Sequence, residues 1–136
     1  MSGSAPASKI LVSACLVGIE CNHRGLANTS DAVRALAAEY DLIAVCPETQ
    51  GGLPTPRPAA EVQDDGRVVN EAGDDVTAAF VRGAHAALAV AQAAGVTQAV
   101  LKARSPSCDP GRGITAAALR AAGVRVRCEE DDLTLE

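Results

Sequence analysis

Apolar residues along the chain fall into two kinds of run, and the two kinds alternate. The short aliphatic stretches KILVSACL (9–16), DLIAVCPE (41–48) and QAVLKARS (98–105) predict strands. VRVRCEE (124–130) alternates apolar and polar positions, as a strand with one exposed face does. Between them, SDAVRALAAEY (30–40) predicts a helix with Ser30 as N-cap. DVTAAFVRGAHAALAVAQAAG (75–95) predicts a long helix opened by Asp74 or Asp75 and closed by Gly95, and ITAAALRAAG (114–123) a third that stops at Gly123.

Strand and helix in alternation are the mark of βαβ units. The expected fold is α/β: a single-domain, three-layer, Rossmann-like arrangement with a mainly parallel sheet of about four strands. Residues 47–74 interrupt the rhythm. Pro54, Pro56 and Pro58 forbid helix or central strand around them, so a Pro/Gly-rich excursion should follow the second strand. EVQDDGRVVN (61–70) then reads as a small hairpin around Asp65-Gly66. There is no internal repeat.

The length of 136 residues suits one domain, taken as 9–130, with a disordered lead at 1–8 and an acidic tail at 131–136. MSGSAPAS has neither the basic nor the apolar segment of a secretory signal. The longest apolar stretch, 86–101, is interrupted by Gln92, Gly95 and Thr97, which argues against a membrane span. A cytoplasmic location is expected.

Composition narrows the partners. The chain is 48% hydrophobic but only 1% aromatic, with Phe80 and Tyr40 alone, so the core must be built from Ala, Val, Leu and Ile. Aromatic platforms for stacking bases are missing, and a net charge of −5 argues against an extended nucleic-acid surface. A small-molecule partner fits better. The composition leaves monomer and homodimer both open.

Five cysteines, Cys15, Cys21, Cys46, Cys108 and Cys128, carry the candidate chemistry. In a reducing compartment their roles are metal binding, catalysis or plain burial. Cys15 lies near the end of the first predicted strand, Cys46 at the end of the second and Cys108 just past the third. The carboxyl ends of parallel strands share one edge, which is where open α/β sheets bind ligands. Three thiols at three strand ends can therefore meet. Cys21, in CLVGIECNHRG, could come near Cys15 in the first loop or only line the site, and Cys128 fits ordinary packing. Converging thiolates suit zinc or an iron–sulfur cluster, and without a CxxC pair spacing does not choose between them. Three ligands rather than four would leave a metal position open for a substrate.

Taken in order, SACLVGIEC, VCPETQGGLPTPRPAAEV, GDDVTAAFVRGA and LKARSPSC resemble the thiouracil desulfurase family of small bacterial proteins, over about residues 9–126. The resemblance implies a [4Fe-4S] cluster held by Cys15, Cys46 and Cys108. It implies a non-redox desulfidase that removes sulfur from a thiolated pyrimidine base or nucleoside, giving the oxo base and sulfide. Glu48 of CPE would be the acid/base residue and Ser105 of SPSC its partner at the substrate. Glu48, two residues from a ligand, could manage protons there or be a solvated loop residue. Ser105 could reach the substrate or cap the turn before Pro106. Arg57, held between prolines, could bind a substrate carbonyl or pin its loop through an ion pair.

Lys102 and Arg104 flank the third strand's end, Asn22 and His23 follow Cys21, and His85 lies mid-helix, where it reads as structural. One departure stands out: relatives carry a longer glycine-rich segment after SPSC, whereas here DPGRG runs straight into the last helix. The pocket wall is the feature that this shortening touches. Two other readings use the same thiols: a non-catalytic iron–sulfur or zinc sensor, and a metal-free thiol enzyme with Cys15 or Cys108 as nucleophile.

Overall fold

A computed structural model describes residues 8–133; the expected lead, apart from Ser8, and the end of the acidic tail lie outside it. The chain runs β1 (Ser8–Ser13), a 3₁₀ turn (Ala14–Val17), α1 (Asp31–Ala35), β2 (Tyr40–Val45) and α2 (Pro47–Gln50). It continues through β3 (Ala60–Val62), β4 (Val68–Asn70), α3 (Thr77–Ala94), β5 (Gln98–Leu101), α4 (Ile114–Ala121) and β6 (Arg125–Cys128). The main sheet has the order β2-β1-β5-β6 and all its pairings are parallel. β3 and β4 pair antiparallel as the hairpin around Asp65-Gly66.

The order reverses at β1, whose neighbours are β2 on one side and β5 on the other. Loops leaving the carboxyl ends of β1 and β5 diverge to opposite sides there, opening the crevice typical of doubly wound sheets. Alternate residues face the two helical layers. Leu11, Ala99 and Leu101 pack with Ala87, Ala91, Ala116 and Leu119 on the side of α3 and α4. Ile10, Val12 and Val100 pack with Leu16, Val33 and Cys21 on the side of α1 and the first loop.

A core nearly devoid of aromatics closes by close approach. α3 buries Ala79, Phe80, Gly83, Ala84, Ala87 and Ala91, all small side chains but Phe80, at helical spacing. Its contact with α2 is close: a Cβ on Gly83 would lie 1.9 Å from the carbonyl oxygen of Pro47, and one on Gly51 would lie 2.0 Å from that of Ala79. Glycine at both positions lets the two backbones touch, and this seats the CPE segment on α3.

Several boundaries differ from those the sequence suggests. DLIAVCPE is not strand throughout: β2 stops at Val45, and Pro47 starts α2 at a position where its missing N–H costs nothing. The 30–40 helix is shorter, passing into a 3₁₀ turn at Leu36–Ala38, because Tyr40 is taken into β2 opposite Ser8. Ser30 caps it as expected, accepting from Val33 N at 3.3 Å. Asp75 accepts from Thr77 N at 2.9 Å at the start of α3, and Gly95 closes that helix in the left-handed region at φ 70°. QAVLKARS leaves the sheet at Leu101 and turns from Lys102 onward. Among the described residues, no helix is long and apolar enough to cross a membrane.

Candidate active site

Cys15 sits in the 3₁₀ turn after β1, Cys46 directly after β2 as the residue before α2, and Cys108 in the turn after β5. All three line one cavity of about 300 Å³ at the carboxyl edge of the sheet, together with Glu48, Arg57 and Ser105. Asn22, His23, Lys102 and Arg104 also reach it, whereas His85 is exposed on α3 and Cys128 ends β6; neither lines the cavity. All five cysteines are free, and Cys15 and Cys108 are buried.

Each of the three thiols has a hydrogen-bonding neighbour. Burial pushes Cys15 up, and the Asn28 side chain opposes this. Burial pushes Cys108 up to about 11, against the neighbouring Ser13 and Ser107 hydroxyls. Cys46 goes down, chiefly because the Cys21 thiol hydrogen-bonds to it, and Cys21 goes up for the same reason. Cys46 Sγ also lies 3.7 Å from the Cys21 carbonyl oxygen. Cys21 thus belongs to the cavity wall, beside Cys46.

The charged groups form a separate layer. Arg57, 8% exposed, donates from Nε to Glu48 Oε1 at 3.0 Å and from Nη2 to the Cys21 carbonyl at 2.8 Å. Its Nη1 reaches Thr55 Oγ1 at 3.0 Å and the Pro54 carbonyl at 3.3 Å. The loop-pinning role is therefore realised, and every guanidinium nitrogen has a protein partner. Lys102 Nζ pairs with Glu129 Oε2 at 3.1 Å, and Arg104 makes an exposed two-point pair with Glu130.

Ser105 caps its turn: its Oγ accepts from Cys108 N at 3.1 Å and Ser107 N at 3.3 Å. The hydroxyl on Glu48 belongs instead to Ser107, whose Oγ donates to Oε2 at 3.0 Å. S-P-S offers two hydroxyls, and only the backbone of the turn decides which one faces across to α2. Asn28 and Ser13 were also not singled out by the sequence; their only signal is that they lie one loop away from, or next to, a strand end that carries a cysteine.

The segment after Cys108 is tied to itself. Asp109 Oδ1 accepts from Arg104 N at 2.6 Å, and Oδ2 accepts from Gly111 N at 3.0 Å and Arg112 N at 3.1 Å. These bonds hold the Asp109 carboxyl below the usual range although burial opposes them. A Cβ on Gly113 would lie 2.5 Å from the Ser107 carbonyl oxygen, so only glycine lets α4 begin there.

Could these residues hold an iron–sulfur cluster? The donor set fits: three soft thiols from three separate elements face one cavity, each with a hydrogen-bond donor of the kind that tunes cluster sulfurs. Among the described residues no three His, Cys, Asp or Glu side chains close on a point that would hold a single metal ion. A cluster makes no such demand, because its ligands bind separate irons.

Fold and cavity together define a class, an open parallel α/β domain with three free thiols and a carboxylate gathered at its switch-point edge. The family model for 2-thiouracil desulfurase matches residues 10–131, and the chain belongs to that family. It is 36% identical to the uncharacterized protein YbbK of Bacillus subtilis (strain 168), covering 90% of this chain and 96% of YbbK. It also superimposes on a solved structure, the [4Fe-4S]-dependent thiouracil desulfidase TudS, with a TM-score of 0.84 and 44% identity over 93% of each chain.

Proposed function

We propose that the chain is an iron–sulfur-dependent desulfidase that converts a thiolated pyrimidine, a 2-thiouracil-like base or nucleoside, into its oxo counterpart and sulfide. The observation that carries this reading is the meeting of Cys15, Cys46, Cys108 and Glu48 in one cavity, within a family named for that reaction. The similarity to TudS, a [4Fe-4S]-dependent enzyme, supports the cofactor.

Cys15, Cys46 and Cys108 would hold the cluster. When bound through three thiolates, a [4Fe-4S] cluster supplies an iron with an open position, a Lewis acid suited to a soft thiocarbonyl sulfur. The reaction is a hydrolysis: water adds its oxygen to the thiocarbonyl carbon, the carbon–sulfur bond breaks, and no electrons are exchanged. Glu48, which lines the cavity, would take the proton of that water and return one. Arg57 and Ser107 fix its two oxygens, so the carboxylate needs little reorganisation. Ser105 lines the same cavity and would contact the bound pyrimidine. A volume of about 300 Å³ accommodates a small ligand, and the protein's action on a soluble base or nucleoside fits a cytoplasmic setting.

The test is sulfide release from 2-thiouracil by anaerobically reconstituted protein, with uracil as the matching product. A fully loaded protein that releases none from any thiolated pyrimidine would overturn the assignment.

A further inference from the structure

The two oxygens of Glu48 are held from opposite sides. Arg57, from the proline-rich excursion, takes Oε1, and Ser107, from the turn after β5, takes Oε2, each at 3.0 Å. The second contact bridges two strand ends, since Glu48 belongs to α2 after β2.

The hydrogen bonds around Ser107 have one direction. A hydroxyl has a single proton; that of Ser107 has Glu48 Oε2 at 3.0 Å and Cys108 Sγ at 3.7 Å within reach, and the nearer, charged acceptor takes it. In the 3.1 Å contact between Ser105 Oγ and Ser107 Oγ, Ser105 is therefore the donor. Ser105 Oγ meanwhile accepts two backbone N–H groups, from Ser107 and Cys108. The result is an ordered chain from Ser105 through Ser107 to Glu48, 3.7 Å from Cys108 Sγ at the Ser107 hydroxyl.

The backbone of Ser107 is fixed independently of this chain. Its carbonyl accepts from Thr115 N at 2.8 Å and Ala116 N at 3.1 Å at the start of α4, and the residue is 1% exposed. The hydroxyl is thus presented from a rigid seat.

We propose that Ser107 is a positioning residue for the desulfidation reaction, the hydroxyl that holds Oε2 and keeps Glu48 in one orientation beside the three thiols. The proposal rests on the function assigned above. Ser107 acts through Glu48 and needs no contact with substrate. Without it, the carboxylate retains Arg57 alone and can pivot about that contact.

The test compares Ser107→Ala, Ser107→Cys, Glu48→Gln and the Ser107→Ala/Glu48→Gln double variant with the parent, all loaded anaerobically. Crystal structures report the Glu48 side-chain orientation, iron analysis reports the cluster, and steady-state kinetics separate kcat from KM. In Ser107→Ala, Glu48 is expected to leave its parent orientation while iron content holds. kcat should fall on the order of tenfold to a hundredfold with KM unchanged, the scale of one hydrogen bond to a charged group. Ser107→Cys, a weak donor of similar size, should fall in between, and it carries the test if the alanine variant does not fold. The double variant should be no slower than Glu48→Gln alone.

An unmoved Glu48 in Ser107→Ala, a loss of iron, or an equal loss of rate in the Glu48→Gln background would each overturn the proposal. A fully loaded parent that releases no sulfide would overturn the assigned reaction, and a displaced Glu48 would still support Ser107 as its holder.

Discussion

Arg57 and Glu48 form an ion pair 3.0 Å long, with side chains only 4% and 14% exposed, and the same guanidinium reaches the carbonyl of Cys21. One arginine thus ties the proline-rich excursion both to the carboxylate and to the first loop. Truncating it strands a carboxylate and a carbonyl in a shielded place. Arg57→Ala should lower unfolding stability by about 3–5 kcal/mol, the usual cost of removing one partner of a buried pair. Arg57→Lys should recover only part of this, since one ammonium cannot reproduce the planar fork. Urea unfolding of the two variants decides it, and a loss under about 1 kcal/mol for the alanine variant would contradict the pairing.

Gly83 predicts a reversal of sign. Alanine normally stabilises a mid-helix position by about 0.5–1 kcal/mol relative to glycine. Here the added Cβ would meet the Pro47 carbonyl at 1.9 Å. Gly83→Ala should therefore destabilise by about 1–3 kcal/mol and displace the segment carrying Cys46 and Glu48. Thermal unfolding together with iron content would show both effects, and a stabilised variant would mean that α2 and α3 are not in contact.

Asp109 is the keystone of the segment after Cys108, accepting three backbone N–H groups. Asp109→Ala should cost about 2 kcal/mol of stability, the scale of a lost cap, and Asp109→Asn should cost less because its amide oxygen still accepts. Equal losses from the two variants, measured by urea unfolding, would show that the carboxylate's charge matters more than its geometry.

How much of this was legible beforehand depends on the kind of fact. The strand ends bearing Cys15, Cys46 and Cys108 follow from aliphatic runs and from the rule that parallel strands share an edge, so the cavity could be anticipated. The hairpin at Asp65-Gly66 and the caps at Ser30 and Gly95 are local chemistry and could be read directly. Tyr40 could not, because its place in β2 is decided by pairing with Ser8, a partner far along the chain. Nor could the choice between Ser105 and Ser107: both flank Pro106, and tertiary packing of the turn selects the hydroxyl that meets Glu48. Arg57 had two open roles, and only the folded chain shows the partners by which it pins its loop.

The cysteines should separate by position. Replacing Cys15, Cys46 or Cys108 by Ala should leave a folded chain that cannot hold the full cluster, while Cys128→Ala, at the end of β6 outside the cavity, should load like the parent. Cys21→Ala should also load, with altered cluster absorbance, because Cys21 contacts Cys46 without being one of the three proposed ligands. Iron retention in Cys108→Ala equal to that in Cys128→Ala would contradict the ligand assignment.

The central claim is that three thiols at one sheet edge hold a catalytic iron–sulfur cluster, and anaerobic reconstitution tests it most directly. Iron and acid-labile sulfide are quantified alongside the visible spectrum. The account predicts a brown protein with about four irons and four sulfides per chain, the stoichiometry of one [4Fe-4S] cluster. A colourless, iron-free protein after complete reconstitution would contradict it.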